Sequence, residues 1–93
     1  MKRPSLDGLV AVITGASRGI GKALALSLAQ CGAKIVVAAK SEQSRNRLPG
    51  SIHETVNEIE SLGGEALAVK TNVRDVEQVS SLIDKALETF GRI

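Results

Sequence analysis

The chain has 93 residues, of which 43% are hydrophobic, and its formal net charge at pH 7 is only +2. This length suits one small domain or part of one, and the charge is too low for a nucleic-acid-binding surface, which needs clustered basic residues. A single cysteine excludes an internal disulfide and offers no metal site. Without a recognisable signal peptide or membrane span, the composition predicts a cytoplasmic protein that binds neither membranes nor nucleic acids.

The first predicted elements are a strand, a glycine turn, a helix and a second strand. After a loose lead-in over residues 1–7, a continuous apolar run over 9–13 is typical of a strand buried on both faces of a parallel sheet. Residues 19–31 predict a helix, and 34–39 predict another buried strand. The predicted apolar face of the helix carries Ile20, Ala23, Leu24, Leu28 and Cys31.

A long polar stretch over 40–50 leads to the second predicted helix, over 51–62. Ser51 and Glu54 have the spacing of a capping box, in which the serine hydroxyl accepts a backbone N–H of the first turn. His53 lies off the apolar face of this helix, so we expect a solvated histidine and not a catalytic one.

A third strand is predicted over 66–69 and a third helix over 76–90, with Asp75 as its N-cap and Gln78 completing the capping box. Strands that alternate with helices imply right-handed crossovers and a parallel sheet. We therefore predict an α/β fold with the order βαβαβα and strand order 3-2-1, the first half of a doubly wound sheet. The predicted apolar face of the third helix comprises Val76, Val79, Leu82, Ile83, Ala86, Leu87 and Phe90.

The turn between the first strand and the first helix carries the strongest functional signal. Glycines allow close backbone approach, and the free N–H groups and dipole of a helix N-terminus favour an anion. A kinase-type phosphate loop is excluded, because the position five before Gly21 is Ala16 and Ala23 has no hydroxyl for magnesium. The turn therefore predicts a site for a dinucleotide pyrophosphate. Its full sequence is Thr14-Gly15-Ala16-Ser17-Arg18-Gly19-Ile20-Gly21.

The end of the second predicted strand bears on the choice between NAD and NADP. A carboxylate at this position, about 20 residues after the glycine turn, would bind the ribose hydroxyls of NAD. The residue there is Ala39, followed by Lys40, so Lys40 and Arg18 can instead face a 2′-phosphate, with Ser17 adding a hydroxyl. We predict NADP (NADPH) in preference to NAD. The alternative is that both are ordinary surface cations.

The pattern T-G-x-x-x-G-x-G resembles the cofactor loop of the short-chain dehydrogenases/reductases, and the resemblance extends over essentially the whole chain. It implies a Rossmann fold in which Thr14 braces the turn, the Ile20 N–H approaches the pyrophosphate, and Asn72-Val73 lies beside the adenine. The segments 38–40, 48–52 and 58–64 are most similar to the hydroxysteroid dehydrogenase-like branch. The predicted cofactor-binding residues are Thr14, Gly15, Ser17, Arg18, Gly19, Ile20, Gly21, Lys40, Asn72 and Val73.

The same resemblance implies hydride transfer between NADP(H) and a carbonyl or alcohol substrate, with a tyrosine as general acid/base assisted by a lysine, a serine and an asparagine. The chain contains no tyrosine and ends before the segments that carry those residues, so no catalytic residue is assigned. We expect residues 1–93 to form an incomplete domain. Whether the chain is an enzyme stays open. The alternatives are a truncated, non-catalytic fragment that binds nucleotide or self-associates through its open sheet edge, and a nucleotide-binding regulatory module.

Overall fold

The computed structural model describes residues 5–15, 19–40 and 51–93, and within them strands and helices alternate as predicted. This confirms the α/β fold. The elements are β1 (Val10–Thr14), α1 (Gly19–Gln30), β2 (Lys34–Ala39), α2 (Ile52–Ser61), β3 (Ala66–Lys70) and α3 (Val76–Phe90).

The three strands form one parallel sheet with β2 in the middle, which is the predicted order 3-2-1. Val12 pairs with Val36 on one side of β2, and Val36 pairs with Leu67 on the other. β1 begins one residue later than predicted. Leu9 therefore lies outside the strand and is 47% exposed, although its carbonyl oxygen still accepts from the Lys34 N–H at 3.0 Å.

Side chains of β2 alternate between two apolar clusters, one on each face of the sheet. Ile35 and Val37 pack beneath α1 and α2, and Val36 and Ala38 pack beneath α3. All four are fully buried, as expected of the central strand in a parallel sheet. The helices thus shield the two faces unequally, with two on one face and one on the other.

Helix α1 does not bury the face that its spacing predicted. The predicted residues Ile20 and Leu24 are 89% and 49% exposed, and the buried positions are Ala25 and Ala29. Apolar residues surround almost the whole helix, so periodicity alone does not select a face. The two alanines, one turn apart, allow the helix axis to approach the sheet closely, and Leu28 is only partly buried.

Helix α2 begins as predicted, with Ser51 as its N-cap. The Ser51 Oγ accepts from the Glu54 N–H at 3.1 Å. Ile52 and Ile59 are fully buried, and so is Thr55, whose hydroxyl donates to the Ser51 carbonyl oxygen at 3.2 Å. The buried threonine was not predicted.

Helix α3 also has the predicted ends: Asp75 is the N-cap, and Gly91 closes the helix with φ +79° and donates its N–H to the Leu87 carbonyl oxygen. Its buried face is narrower than predicted. Leu82 and Ala86 are buried, whereas three apolar residues of the predicted face are substantially exposed. These are Val76 at 81%, Ile83 at 36% and Leu87 at 44%.

The segment before β1 is held more firmly than a loose lead-in. The Leu6 N–H donates to the Cys31 carbonyl oxygen at 2.7 Å, and the Leu6 side chain packs against the cluster beneath α1 and α2. Asp7 and Gly8 form the predicted turn, with Gly8 at φ +85°. These contacts attach residues 5–9 to the carboxyl-terminal end of α1.

Candidate functional site

A cleft of about 470 Å³ lies where the three parallel strands end. Parallel strands bring their carboxyl ends to the same edge of the sheet, and ligands of open α/β sheets bind there. The cleft therefore occupies the position expected for the cofactor. Its lining residues are Thr14, Gly15, Ala39, Lys40, Thr71, Asn72, Val73 and Arg74.

The glycine turn after β1 has backbone that only glycine adopts without strain. Gly15 has φ +68° and Gly19 has φ +67°. A Cβ built at either position would meet no heavy atom within 4 Å among the described residues, so the backbone there is open to a ligand. Helix α1 begins at Gly19, which puts its free N–H groups directly after this turn. Open backbone beside a helix N-terminus fits a pyrophosphate.

The turn between β3 and α3 is ordered by a network of hydrogen bonds. The Asn72 N–H donates to the Gln78 Oε1 at 2.8 Å, and the Asn72 Oδ1 accepts from the Arg74 N–H at 3.1 Å. Asp75 accepts from the Glu77 and Gln78 N–H groups at 3.0 and 3.3 Å, and its other oxygen accepts from the Gln78 Nε2 at 3.3 Å. The side chains of Asn72, Asp75 and Gln78 thus fix the backbone that lines one wall of the cleft.

Thr71 connects this turn to the neighbouring strand. Its N–H donates to the Ala39 carbonyl oxygen at 2.8 Å, and its side chain is only 2% exposed. The Thr71 hydroxyl donates to the Val69 carbonyl oxygen at 3.3 Å. The ends of β2 and β3 are consequently joined at the base of the cleft, which fixes the separation of Lys40 from the β3–α3 turn.

Both charged side chains among the described lining of the cleft are positive. Lys40 and Arg74 line it, and none of its described lining residues is an aspartate or glutamate. The salt bridges found in the described part of the chain use other lysines: Lys22 with Glu58 at 2.9 Å and Lys34 with Glu65 at 3.3 Å. The lining of the cleft therefore favours an anion.

The structure gathers about half of the predicted cofactor-binding residues in this cleft. Thr14, Gly15, Lys40, Asn72 and Val73 line it. The remaining predicted residues either form the start of α1 without lining the cleft or lie outside the described residues. Gly19, Ile20 and Gly21 belong to the first group, and Ser17 and Arg18 to the second.

Two polar lining residues, Thr71 and Arg74, were not predicted. Both flank the predicted pair Asn72-Val73, and the signal that could have identified them is their position at the end of the third strand. The structure also shows how Asn72 is held. One lone pair of its Oδ1 is used by the Arg74 N–H, which leaves the second for another hydrogen-bond donor.

The described lining of the cleft supplies backbone, hydroxyl, amide and cationic groups and contains no His, Cys, Asp or Glu side chain. In residues 5–15, 19–40 and 51–93, no three His, Cys, Asp or Glu side chains come together as metal ligands do. None of the helices in these ranges is long and apolar enough to cross a membrane. The groups that line the cleft are suited to hold and orient an anionic ligand.

Comparison with known proteins finds similarity over nearly the whole length of this chain. The family model described as short chain dehydrogenase matches residues 9–93. Hydroxysteroid dehydrogenase-like protein 2 of Bos taurus is 53% identical over 88 residues, which cover 95% of this chain but 21% of that protein. The chain therefore spans about a fifth of this curated relative.

Solved structures of the same kind superpose closely. A short chain dehydrogenase from Mycobacterium thermoresistibile matches 94% of this chain and 31% of its own with a TM-score of 0.89 and 41% identity. A short chain dehydrogenase/reductase from Burkholderia phymatum, solved in complex with NAD, matches 96% of this chain and 29% of its own with a TM-score of 0.83 and 40% identity. These similarities cover sequence and fold together.

Proposed function

The chain belongs to the short chain dehydrogenase family, and on that basis we propose that it is the NADP-binding N-terminal portion of an oxidoreductase. The reaction proposed is hydride transfer between NADP(H) and a carbonyl or alcohol substrate. The observation that carries the proposal is the cleft at the carboxyl ends of the strands, lined by two cations and by no described carboxylate.

The residues that line the cleft and those at the start of α1 can be assigned to different parts of the cofactor. The open backbone at Gly15 and Gly19, with the N-terminus of α1, suits the pyrophosphate. Lys40 suits the 2′-phosphate, and Asn72 with Val73 suits the adenine. The nicotinamide of a bound cofactor supplies the hydride acceptor or donor, and this chain's part is to anchor the adenosine half.

The preference for NADP over NAD rests on the end of β2. The Burkholderia phymatum relative was solved with NAD, which supports a nicotinamide dinucleotide as ligand of the fold. In this chain, Ala39 occupies the position where a carboxylate would select NAD, and Lys40 follows it in the lining of the cleft. A cation without a neighbouring carboxylate favours the additional phosphate.

Titration of the chain with NADPH and with NADH tests this preference. We expect NADPH to bind at least about tenfold more tightly, since one well-placed charge-assisted hydrogen bond is sufficient for such a ratio. Equal affinity for the two dinucleotides would contradict the proposal that Lys40 and Arg18 bind the 2′-phosphate.

We also propose that the catalytic residues of the oxidoreductase belong to segments outside these 93 residues. The chain spans about a fifth of its bovine relative and has no tyrosine to act as general acid/base. The intact mass of the protein in its native cells, detected with an antibody against residues 41–50, tests this proposal. A mass well above 9.7 kDa supports a longer enzyme, and a mass of 9.7 kDa contradicts it.

A second candidate is a non-catalytic chain that self-associates. The observation in its favour is that β1 is an edge strand of the described sheet, while exposed apolar side chains occur on both flanking layers, as with Leu24 on α1 and Leu87 on α3. Weak NADPH binding without turnover, together with an oligomer in solution, would favour this candidate over the oxidoreductase.

We propose the cytoplasm as the compartment, on the ground of the low cysteine content of these 93 residues. Fractionation of the native cells with the same antibody tests this. Recovery of the protein in a membrane-bounded organelle would contradict it.

A further inference from the structure

We propose that Arg74 is a second determinant of cofactor selectivity and binds the adenosine 2′-phosphate together with Lys40. This inference rests on the proposed NADP-binding function and extends it to a residue outside the glycine turn and outside the end of β2. It concerns the turn between β3 and α3, where Arg74 precedes the N-cap residue Asp75.

Arg74 and Lys40 line the same cleft from neighbouring strand ends. Lys40 directly follows β2, and Arg74 lies four residues after the end of β3. The hydrogen bond from the Thr71 N–H to the Ala39 carbonyl oxygen, at 2.8 Å, holds these two strand ends together. A ligand that fills a cleft of about 470 Å³ therefore lies within reach of both cations.

Neither cation is neutralised within the part of the chain that the structure describes. A second cleft, of about 310 Å³, provides an internal comparison, because Lys34 lines it together with Asp7 and Glu65. There the Lys34 Nζ lies 3.3 Å from a Glu65 oxygen. Arg74 and Lys40 have no such neighbour among the described residues lining their own cleft, so their charges remain for a ligand.

The carboxylate nearest to Arg74 in the sequence, that of Asp75, already accepts hydrogen bonds within its own turn. One of its oxygens accepts two backbone N–H groups of α3, and the other accepts from the Gln78 Nε2. The backbone of Arg74 is in turn fixed by its hydrogen bond to the Asn72 Oδ1. An arginine presents several N–H donors in a planar fork that matches phosphate geometry, so it suits this ligand better than a lysine would.

The test compares 2′,5′-ADP with 5′-AMP, because the two probes differ only in the 2′-phosphate. Their affinities are measured by calorimetry for the wild-type chain and for Arg74→Ala, Arg74→Lys and Lys40→Ala. Arg92→Ala is the matched control, since Arg92 is exposed and follows α3. Thermal unfolding of each variant checks that the fold is retained.

We expect Arg74→Ala to weaken 2′,5′-ADP binding by roughly fivefold or more and 5′-AMP binding by less than about twofold. Arg74→Lys should recover part of the loss, and Arg92→Ala should change neither affinity. An equal loss for both probes would place Arg74 on the adenosine 5′-phosphate that they share and overturn the proposal, as would unchanged binding of both.

The failure of this inference is distinguishable from failure of the proposed NADP preference. If the wild-type chain binds the two probes equally, the NADP preference itself is wrong and the role of Arg74 falls with it. If the wild-type chain prefers 2′,5′-ADP, and Lys40→Ala loses the preference while Arg74→Ala keeps it, then only the role of Arg74 is wrong.

Discussion

The backbone N–H of Asn72 donates to the side-chain Oε1 of Gln78, 2.8 Å away and six residues further along the chain. Gln78 lies in the first turn of α3, so a helical side chain holds the backbone at the position where the adenine is proposed to bind. The same Gln78 donates from its Nε2 to the N-cap residue Asp75. The start of α3 and the wall of the cleft are therefore ordered by one set of contacts.

Replacing Gln78 by alanine should loosen this wall. The lost hydrogen bonds are exposed, so we expect the free energy of unfolding to fall by about 0.5–1 kcal/mol, measured by urea denaturation. We expect 5′-AMP to bind more weakly, because Gln78 no longer holds the backbone N–H of Asn72 and the backbone that carries this side chain is less well ordered. Glu88→Ala, in the last turn of α3, is the control for helix changes and should leave nucleotide affinity unchanged. Wild-type affinity in Gln78→Ala would show that the contact does not position Asn72.

A second prediction separates strain from ligand contact at the glycine turn. Gly15 and Gly63 both have positive φ, +68° and +85°, and a Cβ at either would meet no described heavy atom within 4 Å. Alanine at each should therefore lower the free energy of unfolding by a similar amount, about 1–2 kcal/mol, from backbone conformation alone. Only Gly15→Ala should also weaken NADPH binding, because Gly63 lies after α2 and outside the cleft. If both variants bound NADPH equally well, the turn would not contact the cofactor.

The third prediction concerns the cation that follows β2. Lys40→Asp removes the cation proposed to bind the 2′-phosphate of NADPH and puts in its place a carboxylate that repels this phosphate. We expect the ratio of NADPH to NADH affinity to fall by at least about tenfold. Lys85→Asp, on the exposed surface of α3, makes the same charge change outside the cleft and should leave the ratio unaltered. If Lys40→Asp kept the wild-type ratio of NADPH to NADH affinity, Lys40 would not belong to the site of the 2′-phosphate.

The limits of prediction from the sequence are clear at particular residues. The bounds of β2 were predicted in full, because a continuous apolar run between Gly32-Ala33 and a polar stretch has few other interpretations. Ser51 and Asp75 were predicted as caps, since side-chain bonds to nearby backbone depend on local sequence alone. Local information was sufficient in these cases.

Tertiary contacts determined what the sequence did not reveal. On α1, leucines and alanines surround the helix, and only packing against the sheet selects Ala25 and Ala29 over Leu24. Arg74 and Lys40 are 34 positions apart, and they share a cleft because Ala39 is in register with Lys70 at the ends of two strands. A pairing register of this kind is a property of the folded sheet and not of any short motif.

The last prediction concerns the apolar surface that these 93 residues leave uncovered. The described part of the sheet ends at β1, and Leu24 on α1 and Leu87 on α3 are 49% and 44% exposed. An exposed strand edge pairs readily with another chain, and exposed apolar side chains on the helices of both layers add surface that association can bury. We therefore expect the isolated 93-residue chain to be marginally folded or to self-associate.

Sedimentation velocity over a range of concentrations should show a weight-average mass that rises above 9.7 kDa. Leu24→Glu combined with Leu87→Glu should shift the distribution toward monomer, because charge on both layers opposes burial of the surface between copies. Ser27→Glu combined with Ser81→Glu adds the same charge at exposed positions on α1 and α3 and should have little effect. A monodisperse wild-type monomer with a sharp cooperative thermal transition would contradict the prediction, since it would mean that the uncovered edge of β1 costs the isolated chain little stability.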